Sequence, residues 1–229
     1  MRVLLAETDW AMSAVAFALK EDGFFVTRVD TAQELLEFAK FGEQDAIVFS
    51  ADLPHMSAGN VIRSVRQASQ RAAICLISDG TMSPVRAYQL GADTVFETPF
   101  DHAIIAPRIR AVARRMAGLA LPVIKVADLS IDLSRQQVRI GNRPVRLSRY
   151  EYEILEMLAL RPRQFVSREL IMNRLYAWNE EPTEKIIGVY MCNIRHKIAA
   201  AGGNTDLILT AWGRGYMLAP PLEDAILAA

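Results

Sequence analysis

The segment at residues 183–201 carries the side chains best suited to contact nucleic acid. Apolar residues recur there at helical spacing and form one apolar face, which consists of Ile186, Ile187, Tyr190, Met191, Ile194 and Ile198. A helix with basic and amide groups away from such a face fits the major groove of DNA, where these groups reach phosphates and base edges. An ordinary amphipathic surface helix is the alternative interpretation. The polar side chains that lie largely off the apolar face are Lys185, Asn193, Arg195, His196 and Lys197.

A second group of polar side chains follows the apolar runs of the first half. Five β-rich runs alternate there with helical patterns, and runs that are apolar on both faces are typical of a parallel sheet covered on both sides. The alternation predicts a doubly wound α/β domain with its site at the carboxyl ends of the strands. The predicted strands are residues 2–6, 24–28, 46–50, 72–77 and 94–97, with helices at about 11–22, 31–41, 58–69, 83–91 and 102–116. The polar residues at the strand ends are Glu7, Thr8, Asp9, Ser50, Asp52, Ser78 and Thr98.

The second half predicts a small antiparallel sheet followed by helices and a hairpin. A capping-box match at Ser148 and Glu151 opens a helix to about residue 160, and Ser167 caps a second helix to about residue 178. Three helices followed by a hairpin form a winged helix-turn-helix, in which the third helix enters the groove and the hairpin is the wing. The predicted strands are residues 123–126, 130–133, 136–140, 145–147, 207–211 and 216–218.

Composition limits the classes of function. The 229 residues contain 26 Lys and Arg against 26 Asp and Glu, so a DNA-binding surface must be a local basic patch. Cys75 and Cys192 form neither metal-ligand nor redox spacing, which is typical of a reducing compartment. Without a signal peptide or an apolar run of membrane length, we expect a cytoplasmic chain. The predicted domains are 1–117 and 123–220, joined by a linker at 118–122 and followed by a tail at 221–229.

Both halves carry motifs of one protein family. The first half contains MRVLLAETD, DAIVFSADLPHMSAGNVIRSVR, ISD, LGAD and TPF, and the second half contains LSRYEYEILEMLAL, VSRELIMNRLY, KIIGVYMCNIRHKI and TAWGRGYML. The chain resembles a response regulator of the OmpR/PhoB type. The resemblance implies a flavodoxin-like receiver domain of five parallel strands, then a winged helix-turn-helix domain, in a transcription regulator rather than an enzyme.

The residues that accept phosphate in the family are mostly replaced here. The resemblance places Ser50 at the acceptor aspartate, Thr8 and Asp9 at the acidic pair, and Thr98 at the lysine, whereas Ser78 matches the family. Aspartyl phosphorylation needs a carboxylate nucleophile, a metal ion and a cation for the developing charge. Ser50 has no obvious base beside it in sequence, and a single carboxylate is a weak Mg²⁺ site. We therefore predict a degenerate receiver without metal or cofactor. Phosphorylation at Asp52, two residues downstream, is the alternative.

In the family, the fourth helix, fifth strand and fifth helix form a dimer face. Ile104 stands where the family usually has an acid, and the apolar pair Ile104-Ile105 suits a drier contact than an ionic one. We therefore predict a homodimer whose receiver serves dimerisation. The residues of this predicted face are Arg86, Asp93, Ile104, Arg108 and Arg115.

The resemblance also assigns the nucleic-acid contacts. In the family, two copies bind tandem half-sites in double-stranded DNA about one helical turn apart. The acidic loop from Trp178 to Pro182 corresponds to the segment that relatives turn toward RNA polymerase, although a solvated loop explains it equally well. A protein-interaction module without DNA binding remains an alternative, with Asn193 and Gly188 as signs of a decayed groove helix. The predicted DNA contacts are Arg168, Lys185, Asn193, Arg195, Lys197, Thr210, Trp212 and Arg214.

Overall fold

The computed structural model describes residues 1–41, 44–176 and 185–219. The chain divides into two compact units, Met1–Gly118 and Leu119–Ala229. None of the helices in the described ranges is long and apolar enough to cross a membrane.

The first unit has the predicted doubly wound fold. Its five strands pair in parallel in the order β2-β1-β3-β4-β5. The central strands are buried on both faces, because helices cover both sides of the sheet. The strands are β1 (Arg2–Ala6), β2 (Phe25–Val29), β3 (Ala46–Ser50), β4 (Ala73–Ser78) and β5 (Thr94–Glu97), and the helices are α1 (Trp10–Glu21), α2 (Ala32–Ala39), α3 (Ala58–Ala68), α4 (Pro84–Leu90) and α5 (Ile105–Met116).

The start of the last receiver helix differs from the prediction. Instead of one helix over residues 102–116, a 3₁₀ turn at His102–Ile104 precedes α5. Pro107 consequently lies in the first turn of α5, where its missing N–H leaves no hydrogen bond unmade. Asp101 caps the 3₁₀ turn by accepting from the Ala103 amide at 2.9 Å.

The second unit joins a four-stranded antiparallel sheet, three helices and a two-stranded hairpin. The fourth strand of the antiparallel sheet was predicted wrongly at 145–147. It begins at Arg143, because the two-residue turn of Gly141 and Asn142 places Arg143 directly opposite Ile140. Its strands are β6 (Val123–Val126), β7 (Leu129–Asp132), β8 (Gln137–Ile140), β9 (Arg143–Val145), β10 (Ile208–Ala211) and β11 (Gly215–Leu218), and its helices are α6 (Arg149–Ala159), α7 (Arg168–Tyr176) and α8 (Lys185–Ala200).

Both predicted helix starts in the second unit are present. The Ser148 hydroxyl accepts from the Glu151 amide, and the Glu151 carboxylate accepts from the Ser148 amide at 2.7 Å, which completes the capping box of α6. The Ser167 hydroxyl accepts from the Leu170 amide at 3.0 Å at the start of α7. These caps fix where both helices begin, and therefore where Arg168 stands.

Candidate nucleic-acid interface

Helix α8 has one buried and one exposed face, as the sequence predicts. Ile187, Met191, Ile194 and Ile198 are buried against the rest of the unit. The sequence offers Thr183 as the N-cap of this helix, but Thr183 and the acidic loop between Trp178 and Pro182 lie outside the described residues. The exposed positions of α8 are Lys185, Gly188, Val189, Cys192, Asn193, His196, Ala199 and Ala200.

The hairpin β10–β11 is hydrogen-bonded to Val166, which stands two residues before the start of α7. The Val166 amide donates to the Tyr216 carbonyl at 2.7 Å, and the Tyr216 amide donates back at 2.9 Å. Gly215 permits this approach, because a Cβ built there would lie 1.9 Å from the Val166 carbonyl oxygen, and its φ is +110°. The wing is thereby held beside the start of α7.

A groove of about 570 Å³ runs between α8 and this hairpin. Its walls mix cationic, hydroxyl and small side chains, and Gly188 has open space where a Cβ would stand. The lining therefore offers charge for phosphates together with room for close approach. Its members include Arg168, Cys192, Arg195, His196, Thr210 and Trp212.

Arg195 joins α8 to the wing. Its Nη2 donates to the Ile208 carbonyl at 2.7 Å and to the Thr210 hydroxyl at 2.6 Å. Within the described ranges, Nη1 and Nε of Arg195 have no hydrogen-bond partner. Arg195 can therefore fix the wing with one edge of its guanidinium and contact DNA with the rest.

Two further arginines rest on aromatic rings that sequence reasoning missed. Arg168 lies 5.8 Å from the centre of the Tyr216 ring and donates to its hydroxyl at 3.3 Å. Arg214, in the wing turn, lies 4.7 Å from the centre of the Phe165 ring. Such stacking orients a guanidinium while leaving most of its N–H groups accessible. The sequence signal for these contacts was the position of the two rings. Phe165 stands two residues before the predicted cap Ser167, and Tyr216 begins the last strand of the predicted wing.

Trp212 occupies the same turn and is 89% exposed. Its ring is therefore available for contact with a partner. Its position beside Arg214 and the groove suits packing on a sugar-phosphate backbone. Asn193 and Lys185 are also exposed, so both predicted polar contacts of α8 are available.

The position of Lys197 differs from the expectation of a free DNA contact. Its Nζ lies 2.5 Å from the Glu151 carboxylate, and the pair links α8 to the start of α6. Burial by itself raises the pKa of Glu151, but the hydrogen bond from Lys197, the Ser148 amide and the lysine charge outweigh it, so this pKa lies below its usual value. The geometry therefore favours a structural role for Lys197.

A buried ion pair in the same unit was not predicted. The Arg174 Nε donates to the Glu153 carboxylate at 3.2 Å, and both side chains are fully buried. The pair joins α6 to α7 behind the interface. The signal was Arg174 itself, which stands three residues after Ile171 and directly before Leu175, in the apolar stripe of α7.

The carboxyl ends of β1 and β2 border a polar pocket of about 680 Å³ in the first unit. The Glu7 carboxylate accepts from the Ser13 hydroxyl at 2.7 Å and lies 3.1 Å from Arg28. These two contacts, the first above all, lower the pKa of Glu7. The Asp9 carboxylate caps α1 by accepting from the Met12 amide at 2.8 Å. Glu7 and Asp9, two of the carboxylates of this pocket, are therefore already engaged inside the fold.

The other predicted receiver positions follow the next strands. The Ser50 hydroxyl accepts from the Asp52 amide at 3.2 Å, and Ser78 is buried and donates to the Met82 carbonyl at 2.8 Å. Thr98 donates to the Ser78 carbonyl at 3.4 Å. Thr8 lines the pocket and its buried hydroxyl has no hydrogen-bond partner in the described part of the chain. The residues therefore occupy the predicted edge of the sheet.

Two residues of the predicted dimer face are used within the unit. Asp93 lies 2.5 Å from Arg66 and accepts from the Ile74 amide at 2.7 Å. Arg108 donates to the Val95 carbonyl at 3.2 Å and lies over the Phe96 ring. Both contacts hold β5 against its neighbours, so part of the hydrogen-bonding capacity of these two charges is used within the unit. Ile105, the second residue of the predicted apolar pair, is buried in the core of the unit. The exposed members of the predicted face are Arg86, Ile104, Arg108 and Arg115, and Val85 and Tyr88 add exposed apolar surface.

Comparison with known proteins gives a consistent assignment. Residues 142–218 match the family model "Transcriptional regulatory protein, C terminal". The chain is 36% identical over 224 residues to the cell cycle response regulator CtrA of Brucella ovis, covering 96% of this chain and 97% of that protein, and it is equally similar to CtrA of Brucella anthropi. The crystal structure of DrrB, an OmpR/PhoB homologue of Thermotoga maritima, aligns over 95% of this chain and 98% of its own with 22% identity and a TM-score of 0.43. The chain belongs to the response regulators of the OmpR/PhoB type.

Proposed function

We propose that this response regulator binds specific DNA sequences as a homodimer and does so without phosphorylation. The observation that carries the proposal is the groove between α8 and the wing, where three arginines surround an open helix face. Arg168 and Arg195 line this groove, and Arg214 extends it at the wing tip. Cations in this arrangement can neutralise phosphates on both sides of a major groove that receives α8.

The exposed face of α8 supports a sequence preference. Asn193 can form paired hydrogen bonds with adenine, and Val189, one turn earlier and 54% exposed, can contact a thymine methyl group. Lys185 stands at the start of the same face, where it can reach a phosphate. In this proposal Thr210 and Trp212 contribute backbone contacts from the wing.

The receiver pocket supports phosphate independence. The Arg28 guanidinium already neutralises Glu7, Asp9 caps a helix, and an alcohol stands at position 50. None of these groups supplies the nucleophile, and the lysine that would balance the developing charge is Thr98. Exposed Val85, Tyr88 and Ile104 support receiver-mediated dimerisation.

Titration of DNA by the full chain tests the interface. A DNA target is first selected from random duplexes with the wild-type chain. Its affinity is then measured for wild type, Arg195→Ala, Arg214→Ala and Arg135→Ala. Arg135→Ala is the matched control, because Arg135 lies in an exposed turn. We expect Arg195→Ala to weaken binding by about 10- to 100-fold and Arg214→Ala to reduce the salt slope by about one. Arg135→Ala should bind like wild type. Binding that survives both interface substitutions would contradict the assignment.

Intact-mass measurement after acetyl phosphate treatment tests phosphate independence separately. We expect no added phosphoryl group on the full chain. A stoichiometric adduct at Asp52 would instead support the phosphorelay alternative, and the DNA titration would be unaffected by that result.

A further inference from the structure

Two large aromatic side chains of the receiver unit project into solvent from α1. Trp10 is 87% exposed and Phe17 is 67% exposed. They stand seven residues apart, so they lie on one face of the helix, two turns from each other. Between them lie Ser13 and Ala14, which are small and half-buried. Exposed apolar stripes of this kind mark interaction surfaces.

The order of residues along the stripe is self-complementary. Its midpoint falls between Ser13 and Ala14, equally far from Trp10 and Phe17. A two-fold axis through that point would place Trp10 on the partner's Phe17 and repeat the contact on the other side. The small residues would stand at the crossing, where they let two helices approach to about 8–10 Å.

Charge follows the same symmetry. Asp9 precedes α1 and is exposed, while Lys20 is exposed in its last turn. An antiparallel pair brings Lys20 toward the partner's Asp9 at both ends. It also sets the two helix dipoles in opposite directions, which is favourable.

We propose that the exposed face of α1 is a self-association surface whose occupant is α1 of a second copy of this chain, packed antiparallel. It is separate from the apolar surface of Val85 and Tyr88 on α4, because α1 packs beside β1, β2, α5 and the 3₁₀ turn at His102–Ile104, whereas α4 packs beside α3 and β5. The chain thus has two apolar faces for self-contact.

The size of the face sets the strength of the contact. An aromatic side chain buries about 150–250 Å² when it is fully covered, so the two rings offer at most roughly 300–500 Å² per copy. A stable interface needs about 800 Å² per partner. The contact is therefore a weak, concentration-dependent one that a second attachment, such as a shared DNA molecule, would strengthen.

Site-directed crosslinking of the full chain tests the axis directly. In a Cys192→Ser background, which removes the exposed native thiol, Ala14→Cys is treated with a short bifunctional thiol reagent in the absence of DNA. We expect a covalent dimer on a denaturing gel, several-fold more than Gln33→Cys gives. Gln33→Cys is the matched control because it is exposed on α2.

Second-site variants assign the contact. Phe17→Asp should abolish the Ala14→Cys crosslink, whereas Val85→Asp should leave it intact because Val85 is exposed on α4, which packs beside α3 and β5. Melting temperature and circular dichroism establish that Phe17→Asp is folded. Crosslinking no greater than that of Gln33→Cys overturns the proposal, and so does a crosslink that folded Phe17→Asp leaves unchanged. The assay contains no DNA, so its failure is distinct from failure of the DNA-binding proposal.

Discussion

The two units of this chain use similar charged residues in opposite ways. In the receiver unit, Arg28 pairs with Glu7 and Arg66 pairs with Asp93, so the cations close hydrogen bonds inside the fold. In the DNA-binding unit, Arg168 and Arg214 rest on aromatic faces, which orient a guanidinium while leaving most of its N–H groups accessible. Hydrogen-bonding capacity that remains at a surface indicates a binding site better than the number of charges does.

The comparison also explains how a chain of zero formal charge can bind a polyanion. The 26 cationic and 26 acidic side chains cancel in total, but they do not cancel in place. Around the groove, the described lining contains Arg168, Arg195 and His196 and no carboxylate. At the receiver pocket, the single cation Arg28 stands among Glu7, Asp9 and Asp30.

The buried pair Glu153–Arg174 is an ion pair inside the DNA-binding unit, unlike the accessible arginines around its groove. Breaking this pair gives the largest loss of stability that we expect. Arg174→Leu should lower the free energy of unfolding by about 3–5 kcal/mol, because it removes the Arg174 charge from beside a buried carboxylate. Urea denaturation of the full chain measures the loss. The double variant Glu153→Leu/Arg174→Leu should recover most of it. A single variant no worse than the double would mean that the pair is not desolvated.

The close backbone contact between Gly215 and Val166, which holds the wing, gives the second largest expected loss of stability. Gly215→Ala should cost about 2–4 kcal/mol, since its Cβ meets the Val166 carbonyl and its φ of +110° is unfavourable for alanine. Gly213→Ala is the matched control: its φ is +73°, but nothing lies within 4 Å of its Cβ, so it should cost about 1 kcal/mol. Urea denaturation and amide exchange at Val166 and Tyr216 compare them. Equal losses in the two variants would mean that close approach does not hold the wing.

The sequence predicted the fold well where patterns are local. Strands β1, β3, β5 and β6 begin and end at the predicted residues, because each is an apolar run between turn residues. The family resemblance supplied the order of the units. The wrong start of β9 shows the limit, since a two-residue turn sets the register of a hairpin more strictly than side-chain character does.

The site could be predicted only by residue type. Arg66 and Asp93 are separated by 27 positions, and Glu151 and Lys197 by 46, so no local pattern joins either pair. Sequence therefore placed Asp93 and Lys197 among partner-facing charges, whereas the fold pairs both internally. Which cations stay available depends on long-range packing, and the stacking of Arg214 on Phe165 is another instance.

Lys197 lies on α8, but it forms an internal ion pair with Glu151, as Arg28 and Arg66 do with carboxylates of the receiver unit. The folded pKa of Glu151 lies below its unfolded value of 4.5, so the stabilisation exists above that pH and is lost as pH falls through the folded pKa. Lys197→Met should therefore cost about 1 kcal/mol near neutral pH and less near pH 3. Urea titrations at several pH values measure this difference, with exposed Lys125→Met as the control. A reduced salt slope of DNA binding in Lys197→Met would show that this lysine contacts phosphate.

The smallest effect on DNA affinity is expected for Ser50→Asp, at the position where a phosphorylated family regulator carries its acceptor aspartate. Ser50→Asp restores a carboxylate at the acceptor position, yet Glu7 remains paired with Arg28 and Ser13, Asp9 remains a helix cap, and Thr98 cannot supply a cation. A nucleophile without its metal site and counter-charge should not be phosphorylated, and without that step nothing shifts the receiver between two states. The affinity of Ser50→Asp for a selected DNA target should stay within about twofold of wild type and of Ser50→Ala, with or without acetyl phosphate. Tightening by about tenfold after acetyl phosphate would mean that one carboxylate suffices to restore the switch, and that the pairing of Glu7 and Arg28 yields to a metal ion.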